Sequence, residues 1–266
     1  MSELGEHGEM MRGAAGAAFF DLDRTLIAGS SAFSLAMAAR SAGLVRNRQF
    51  ARDAIAALRF KLRGADDGTT DAVCDRILGV VAGMRHDDLM GLNATVLPRL
   101  LGKVRPEARR LVDLHRHAGR TTYIVSAAPV EIVESLAQSL GMTGGIGTRS
   151  RLVDGVYDGT LDGPFCYGPG KVTAMEGVAE WDGLDLERCY AYSDSASDLP
   201  MLEAVGHPVA VNPDARLARH AAANGWPVVR FSQRTRAVIR RTATGAAASA
   251  LAAASFAAGM RYRRAT

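Results

Sequence analysis

Along the chain the apolar positions change period several times, and each change marks an expected element. The run Ala17-Ala18-Phe19-Phe20 is short and continuous, as a strand buried on both faces requires. From residue 31 to about 101 the pattern turns helical: segments 32–41, 48–63, 70–81 and 87–100 repeat apolar residues three and four apart, with little strand character between them. Pro106 then stands at a helix start, the helix runs to His117, and Ala118-Gly119-Arg120 closes it ahead of a β-rich stretch over 121–125. Beyond it the spacing predicts a helix over 129–140, a glycine-rich segment over 141–147, and a paired region over 152–161 with hairpin turns at Asp154-Gly155 and Asp158-Gly159. Helices over 172–181, 199–205 and 215–223 alternate with strands over 188–192, 208–212 and 227–231.

Alternation of this kind implies an α/β fold with a mostly parallel, doubly wound, Rossmann-like sheet, and the stretch after the first strand reads as a helical insertion. The expected organisation is a disordered leader over 1–16, a core assembled from 17–30 and 102–232, the insertion over 31–101, and a separate tail over 233–266. No internal repeat is evident. The chain's 266 residues, 48% of them hydrophobic, suffice for a substantial core.

The net charge of +4 changes meaning once it is located. From residue 230 to the end there are eight Arg and no acidic residue; removing that segment leaves 24 basic against 28 acidic residues. The body therefore offers no broad field for nucleic acid, and none is expected as a partner. The tail has an uncharged, alanine-rich stretch over 243–260 between Arg240-Arg241 and the arginines at 261, 263 and 264. Its length approaches that of a spanning helix, but alanine adds little transfer energy, so spanning, weak surface association with anionic lipid, and a soluble helix stay open as alternatives. Cys74, Cys166 and Cys189 form no CxxC pair, and the first twelve residues carry three Glu and no apolar core, so a reducing, cytoplasmic setting is expected.

Candidate chemistry collects at the expected strand ends. Asp21 and Asp23 follow the first strand, Ser126 follows Tyr123-Ile124-Val125, and Ser193-Asp194-Ser195-Ala196-Ser197-Asp198 follows a later one; Lys171 lies at a helix start in Gly168-Pro169-Gly170-Lys171. In an open α/β sheet the carboxyl ends of the strands build the ligand site. Acidic groups converging there are costly unless a cation uses them, and all-oxygen ligation favours Mg²⁺. Each residue also has a plainer role: Ser126 and Asp198 as helix caps, Lys171 as a solvated helix position.

In these motifs, and in their order from Phe19 to Asn212, the chain resembles the haloacid-dehalogenase superfamily of phosphatases, in its phosphoserine-phosphatase-like branch. Asp21-Leu22-Asp23-Arg24-Thr25 matches the DxDxT motif, Ser126 the hydroxyl motif, Lys171 the lysine motif and Asp194 to Asp198 the DxxxD motif; the insertion sits where this branch carries a mobile cap. The resemblance implies a phosphomonoester hydrolase acting through an aspartyl phosphate on a small phosphorylated metabolite. Asp21 would be the nucleophile, Asp23 the general acid and base, and Lys171, Ser126 and Thr25 would serve the phosphoryl group. Mg²⁺ would be held by Asp21, the Asp23 carbonyl, Asp194 and Asp198.

Specificity is less defined. Phosphoserine phosphatases carry an acidic residue at the position of Ser30, and Arg24 replaces the small residue usual within the motif. A buried ammonium without a carboxylate binds poorly. Arg59, Lys61 and Arg63 would offer cations to a substrate, although a solvated face explains them as simply. Hydrolysis of lipid or membrane-proximal phosphates, phosphotransfer to a second hydroxyl, and noncatalytic binding through the tail are the alternatives. His115 and His117, two apart on one helix, cannot form a metal pair and are expected at the surface; His86-Asp87-Asp88 reads as a helix start. The glycines over 141–147 lack the strand–turn–helix context of a dinucleotide fingerprint.

Overall fold

The computed structural model describes residues 16–43 and 70–231. The leader over 1–15, the helix expected over 48–63 with Arg59, Lys61 and Arg63, and the tail over 233–266 lie outside the described residues. Six strands form one parallel sheet: β1 (Ala17–Asp21), β2 (Thr121–Pro129), β3 (Gly144–Thr148), β6 (Tyr190–Ser193), β7 (His207–Val211) and β8 (Val228–Val229), in the order β3-β2-β1-β6-β7-β8. β4 (Ser150–Val153) and β5 (Val156–Leu161) form a separate antiparallel hairpin. The helices are α1 (Ser31–Ser41), α2 (Thr70–Val81), α3 (His86–Leu101), α4 (Pro106–His117), α5 (Val130–Ser139), α6 (Pro169–Asp182), α7 (Leu199–Glu203) and α8 (Ala215–Ala223).

β1 lies at the centre, paired in parallel with β2 on one side and β6 on the other, and all five of its residues are buried. That position explains its unbroken apolar run: with neighbours on both edges and helices on both faces, no residue of the strand meets water. The chain reverses between β1 and β6 in sheet order, so the carboxyl ends of β1, β2 and β6 open on a topological switch point.

Three local expectations are corrected. The glycine-rich segment holds a strand, β3, because Gly145 and Gly147 let it run directly beneath α5: a Cβ at Gly145 would stand 2.5 Å from the Glu134 nitrogen, and one at Gly147 2.6 Å from the Val130 Cα. Only Asp154-Gly155 turns the hairpin; Asp158-Gly159 falls inside β5, where Asp158 binds Arg151 and Thr160 instead of making a turn. His115 is buried rather than at the surface. Its Nε2 is 2.8 Å from the Tyr192 hydroxyl, and its ring meets Phe20 and Tyr190.

After β1 the backbone coils through two wide turns, Leu26 N–H to the Asp21 carbonyl and Ile27 N–H to the Leu22 carbonyl, and then runs antiparallel to Val104. This geometry places α1 directly over the sheet end. α1 packs on α3 and α3 on α5, where Asn93 Nδ2 donates to Ser135 Oγ at 2.9 Å. The β4/β5 hairpin is tied to the turn between α2 and α3 through Gly83, Met84 and His86, and the Tyr157 hydroxyl donates to Glu131 of α5. Among the described residues no helix is long and apolar enough to cross a membrane.

Burial and the neighbouring Arg120 hold the His115 pKa down at about 4, against 6.5 unperturbed. The unfolded chain therefore binds a proton that the fold excludes between those values, and stability falls as pH falls through 6.5. The shift implies a loss of about 2 kcal/mol between pH 7.5 and 5. Urea denaturation of wild type and His115→Gln at both pH values should show a shallower pH dependence in the variant by that amount; parallel curves would exclude His115 as the source.

Candidate active site

Three strand ends and one helix start deliver the polar residues to a single place. Asp21 is the last residue of β1, Ser126 lies in β2, Asp194 follows β6, and Lys171 lies in the first turn of α6. Lys171 reaches the site because the chain before α6 is folded tightly: a Cβ on Gly170 would meet the Phe165 carbonyl oxygen at 1.9 Å, so only glycine fits. The lysine is buried, and its Nζ donates to Asp21 Oδ1 at 2.7 Å and to Asp198 Oδ2 at 2.9 Å. A solvated helix position is thereby excluded. Burial alone would lower its pKa, but Asp198 and Asp21 outweigh that and the net shift is upward, so the ammonium stays charged.

Asp198 is not a helix cap either. α7 begins directly behind it without a side-chain cap bond, and Asp198 Oδ2 instead accepts from Lys171 and from the Ser193 hydroxyl at 2.7 Å. Ser126 does not cap α5, whose N-cap is Pro129; the buried Ser126 Oγ accepts from the Ala128 N–H at 3.2 Å. Thr25 is buried, and its Oγ1 has no hydrogen-bond partner among the described residues.

Asp23 is separated from Asp21 by one turn residue and has a different environment. Its Oδ1 accepts from the Ser31 N–H, at the start of α1, at 2.7 Å. Burial raises its pKa and the Ser31 hydrogen bonding offsets part of the rise, which leaves a carboxyl that holds its proton more readily than a surface aspartate. Burial also pushes Asp21 up to about 7, with Lys171 pulling it back and the Asp198 charge adding to the rise. Asp194 is raised to about 6, again chiefly by burial, with Arg24 opposing. Arg24, at a φ of 64°, swings back so that its Nε lies 3.0 Å from Asp194 Oδ2.

The donor set is all oxygen and suits a hard divalent cation. Asp21 and Asp194 are oxygen donors whose pKa values are raised chiefly by burial, with Lys171 and Arg24 opposing. Asp23 turns its carboxylate to Ser31, and Asp198 commits one oxygen to Lys171 and Ser193. Among the described residues no three His, Cys, Asp or Glu side chains form a ready metal cluster. Asp21, Asp194, the second oxygen of Asp198 and the Asp23 carbonyl are the groups that would hold such a cation, the rest of its ligands falling to water and substrate.

Sequence reasoning missed three supporting residues. Ser193 bridges Asp198 and the Ser195 N–H; Asp214 accepts from the Ala196 N–H at 2.9 Å while capping α8; and Ser31 fixes Asp23. Asp214 before 215–223 carried a cap signal, but its second bond joins residues 18 apart and has no local signature.

Comparison with known proteins identifies the family. A family model described as haloacid dehalogenase-like hydrolase matches residues 18–203. A probable phosphatase of Mycobacterium tuberculosis is 40% identical over 239 residues, covering 90% of this chain and 83% of that protein. A second M. tuberculosis protein, named phosphoserine phosphatase SerB1, is 37% identical over 248 residues, covering 89% and 79% respectively. A crystal structure of a Bordetella pertussis protein of unknown function superposes with a TM-score of 0.73 at 27% identity, over 82% of this chain and 99% of that one.

Replacing Lys171 by Met leaves Asp21 and Asp198 buried without their shared cation, at a cost of about 3–5 kcal/mol at neutral pH. Without the ammonium the Asp21 pKa rises further above that of the unfolded chain, so part of the stability returns as pH falls and it protonates. Thermal denaturation of K171M should show a lowered midpoint at pH 7.5 that recovers toward wild type at pH 5.5; a deficit independent of pH would contradict the pairing.

Proposed function

The chain belongs to the haloacid dehalogenase-like hydrolases, and from that premise we propose that it is a phosphomonoester hydrolase in which Asp21 is the nucleophile and Asp23 the proton donor and acceptor. The observation that carries the reading is that two aspartates two residues apart have different partners: Asp21 is held by the Lys171 ammonium at 2.7 Å, and Asp23 by the Ser31 backbone amide at 2.7 Å, while burial raises the pKa of both. One is placed to act as an anion, the other to hold and release a proton.

In this mechanism an Asp21 carboxylate oxygen attacks phosphorus, and the ester oxygen departs with a proton from Asp23. The Asp23 carboxylate then takes a proton from the water that cleaves the aspartyl phosphate, releasing inorganic phosphate and restoring both residues. Lys171 and the Ser126 hydroxyl stabilise the phosphoryl oxygens, and Thr25 lines the same turn. Asp198 acts through Lys171 as a positioning residue. Mg²⁺, when held by Asp21, Asp194 and the Asp23 carbonyl, neutralises the repulsion between carboxylate and phosphate. Arg24 would give up its contact with Asp194 to the cation.

The helices α1 to α3 are proposed as the described part of a cap over this site. Beside Asp23, Ser31, Ala32 and Leu35 of α1, Ile77 and Val80 of α2, and Ala128, Pro129 and Ile132 line a small apolar space of about 10 Å³, and this lining supports a substrate unlike phosphoserine. Ser30, where a substrate amine would need a carboxylate, caps α1 by accepting from the Phe33 N–H. An uncharged, largely apolar alcohol suits these walls better than an amino acid.

Turnover of p-nitrophenyl phosphate should require Mg²⁺, fall at least a thousandfold in Asp21→Asn, and leave an acid-stable, hydroxylamine-sensitive phosphate on wild type but not on that variant. Activity undiminished in Asp21→Asn would remove the nucleophile assignment. In a panel of phosphate esters, kcat/KM for alkyl or aryl phosphates should exceed that for phosphoserine by tenfold or more; the reverse order would overturn the apolar-alcohol reading while leaving hydrolysis intact.

A further inference from the structure

The opposite edge of the sheet carries a second, unrelated cavity. Gly16 enters β1, Arg120 enters β2, Arg188 and Tyr190 enter β6, and His207 opens β7; because the strands are parallel, all of these lie at amino ends. Together with the Ala118-Gly119 turn they enclose about 310 Å³. At about 3.3 Å per residue along β1, the cavity stands roughly 15 Å from Asp21.

Its chemistry is one-sided. Arg120 and Arg188 supply two guanidinium groups and His207 an imidazole, and among the described residues no acidic side chain lines the space. Neither arginine has a carboxylate partner among the described residues. Arg120 is also held in place: it is only partly exposed, with its guanidinium carbon 4.9 Å from the centroid of the Tyr190 ring. Tyr190 in turn stacks on His207 at 4.4 Å and meets the buried His115 at 4.8 Å. A solvated arginine keeps its rotamer freedom, whereas this one has lost part of it before any ligand arrives, and that pre-ordering lowers the cost of binding. Planar guanidinium forks match phosphoryl oxygens in pairs, and a volume of this size takes a small molecule rather than a polymer.

We propose that this cavity is a binding site for a small molecule carrying a phosphoryl group, separate from the catalytic site and formed by Arg120, Arg188 and His207. The phosphoryl group belongs either to free phosphate or to a phosphorylated organic compound, and the two are separated by the probes below.

The test is titration of the ¹⁵N-labelled full chain with inorganic phosphate and, separately, with phenylphosphonate, which has no ester bond to hydrolyse. The amides of Gly16, Gly119 and His207 should shift saturably, with affinity at least tenfold weaker in the Arg120→Gln/Arg188→Gln double variant, while p-nitrophenyl phosphate turnover stays within twofold of wild type. Absence of shifts at these amides, or identical titrations in the double variant, would overturn the site. Tighter binding of phenylphosphonate assigns it to an organic ligand, and tighter or equal binding of phosphate to the free anion; either outcome supports it. If the double variant does not fold, the exposed Arg188→Gln change alone decides: affinity weakened threefold or more supports the site, and unchanged affinity overturns it.

Discussion

The Lys171 ammonium lies buried between Asp21 and Asp198, and the electrostatics of the whole carboxyl edge depend on it. Without it two carboxylates would be desolvated and unpaired, which folding of a marginally stable protein could not carry. Even with it, burial holds the pKa values of Asp21 and Asp194 above the ordinary carboxylate range.

The remaining features serve that arrangement. β1 must be central to be dry on both faces, and being dry it delivers Asp21 into a low-dielectric position where pairing is strong. The wide turns after β1 carry Asp23 to the first amide of α1, so the helices that stand over the site are joined mechanically to the proposed proton carrier. Ser193 and Asp214 hold the loop bearing Asp194 and Asp198 from beneath. The chemistry is therefore set by loops, but the loops are set by strand ends.

Much of this could be read along the chain. The buried first strand, the helical insertion's start, the α4–β2 unit and the order of acidic, hydroxyl and lysine motifs all have local signatures, because the apolar period and the cap and turn residues act within a few positions. β3 was hidden because glycine there reports a helix packed above the strand, not a preference of the strand itself. His115 was misplaced because its fellow on the helix, His117, is exposed, and because the partner that buries it, Tyr192, is 77 residues away.

By itself the sequence determined the fold class and the family, and it proposed the residues of the site, since each rests on short-range pattern or on motif order. Only the tertiary structure decided what those side chains do to one another: that Lys171 is shared by Asp21 and Asp198, that Arg24 reaches Asp194, that Asp23 binds Ser31, and that two arginines gather at the far edge. The reason is physical. Pairing and burial are interactions between residues distant in sequence, and their strength depends on dielectric surroundings that no local pattern encodes.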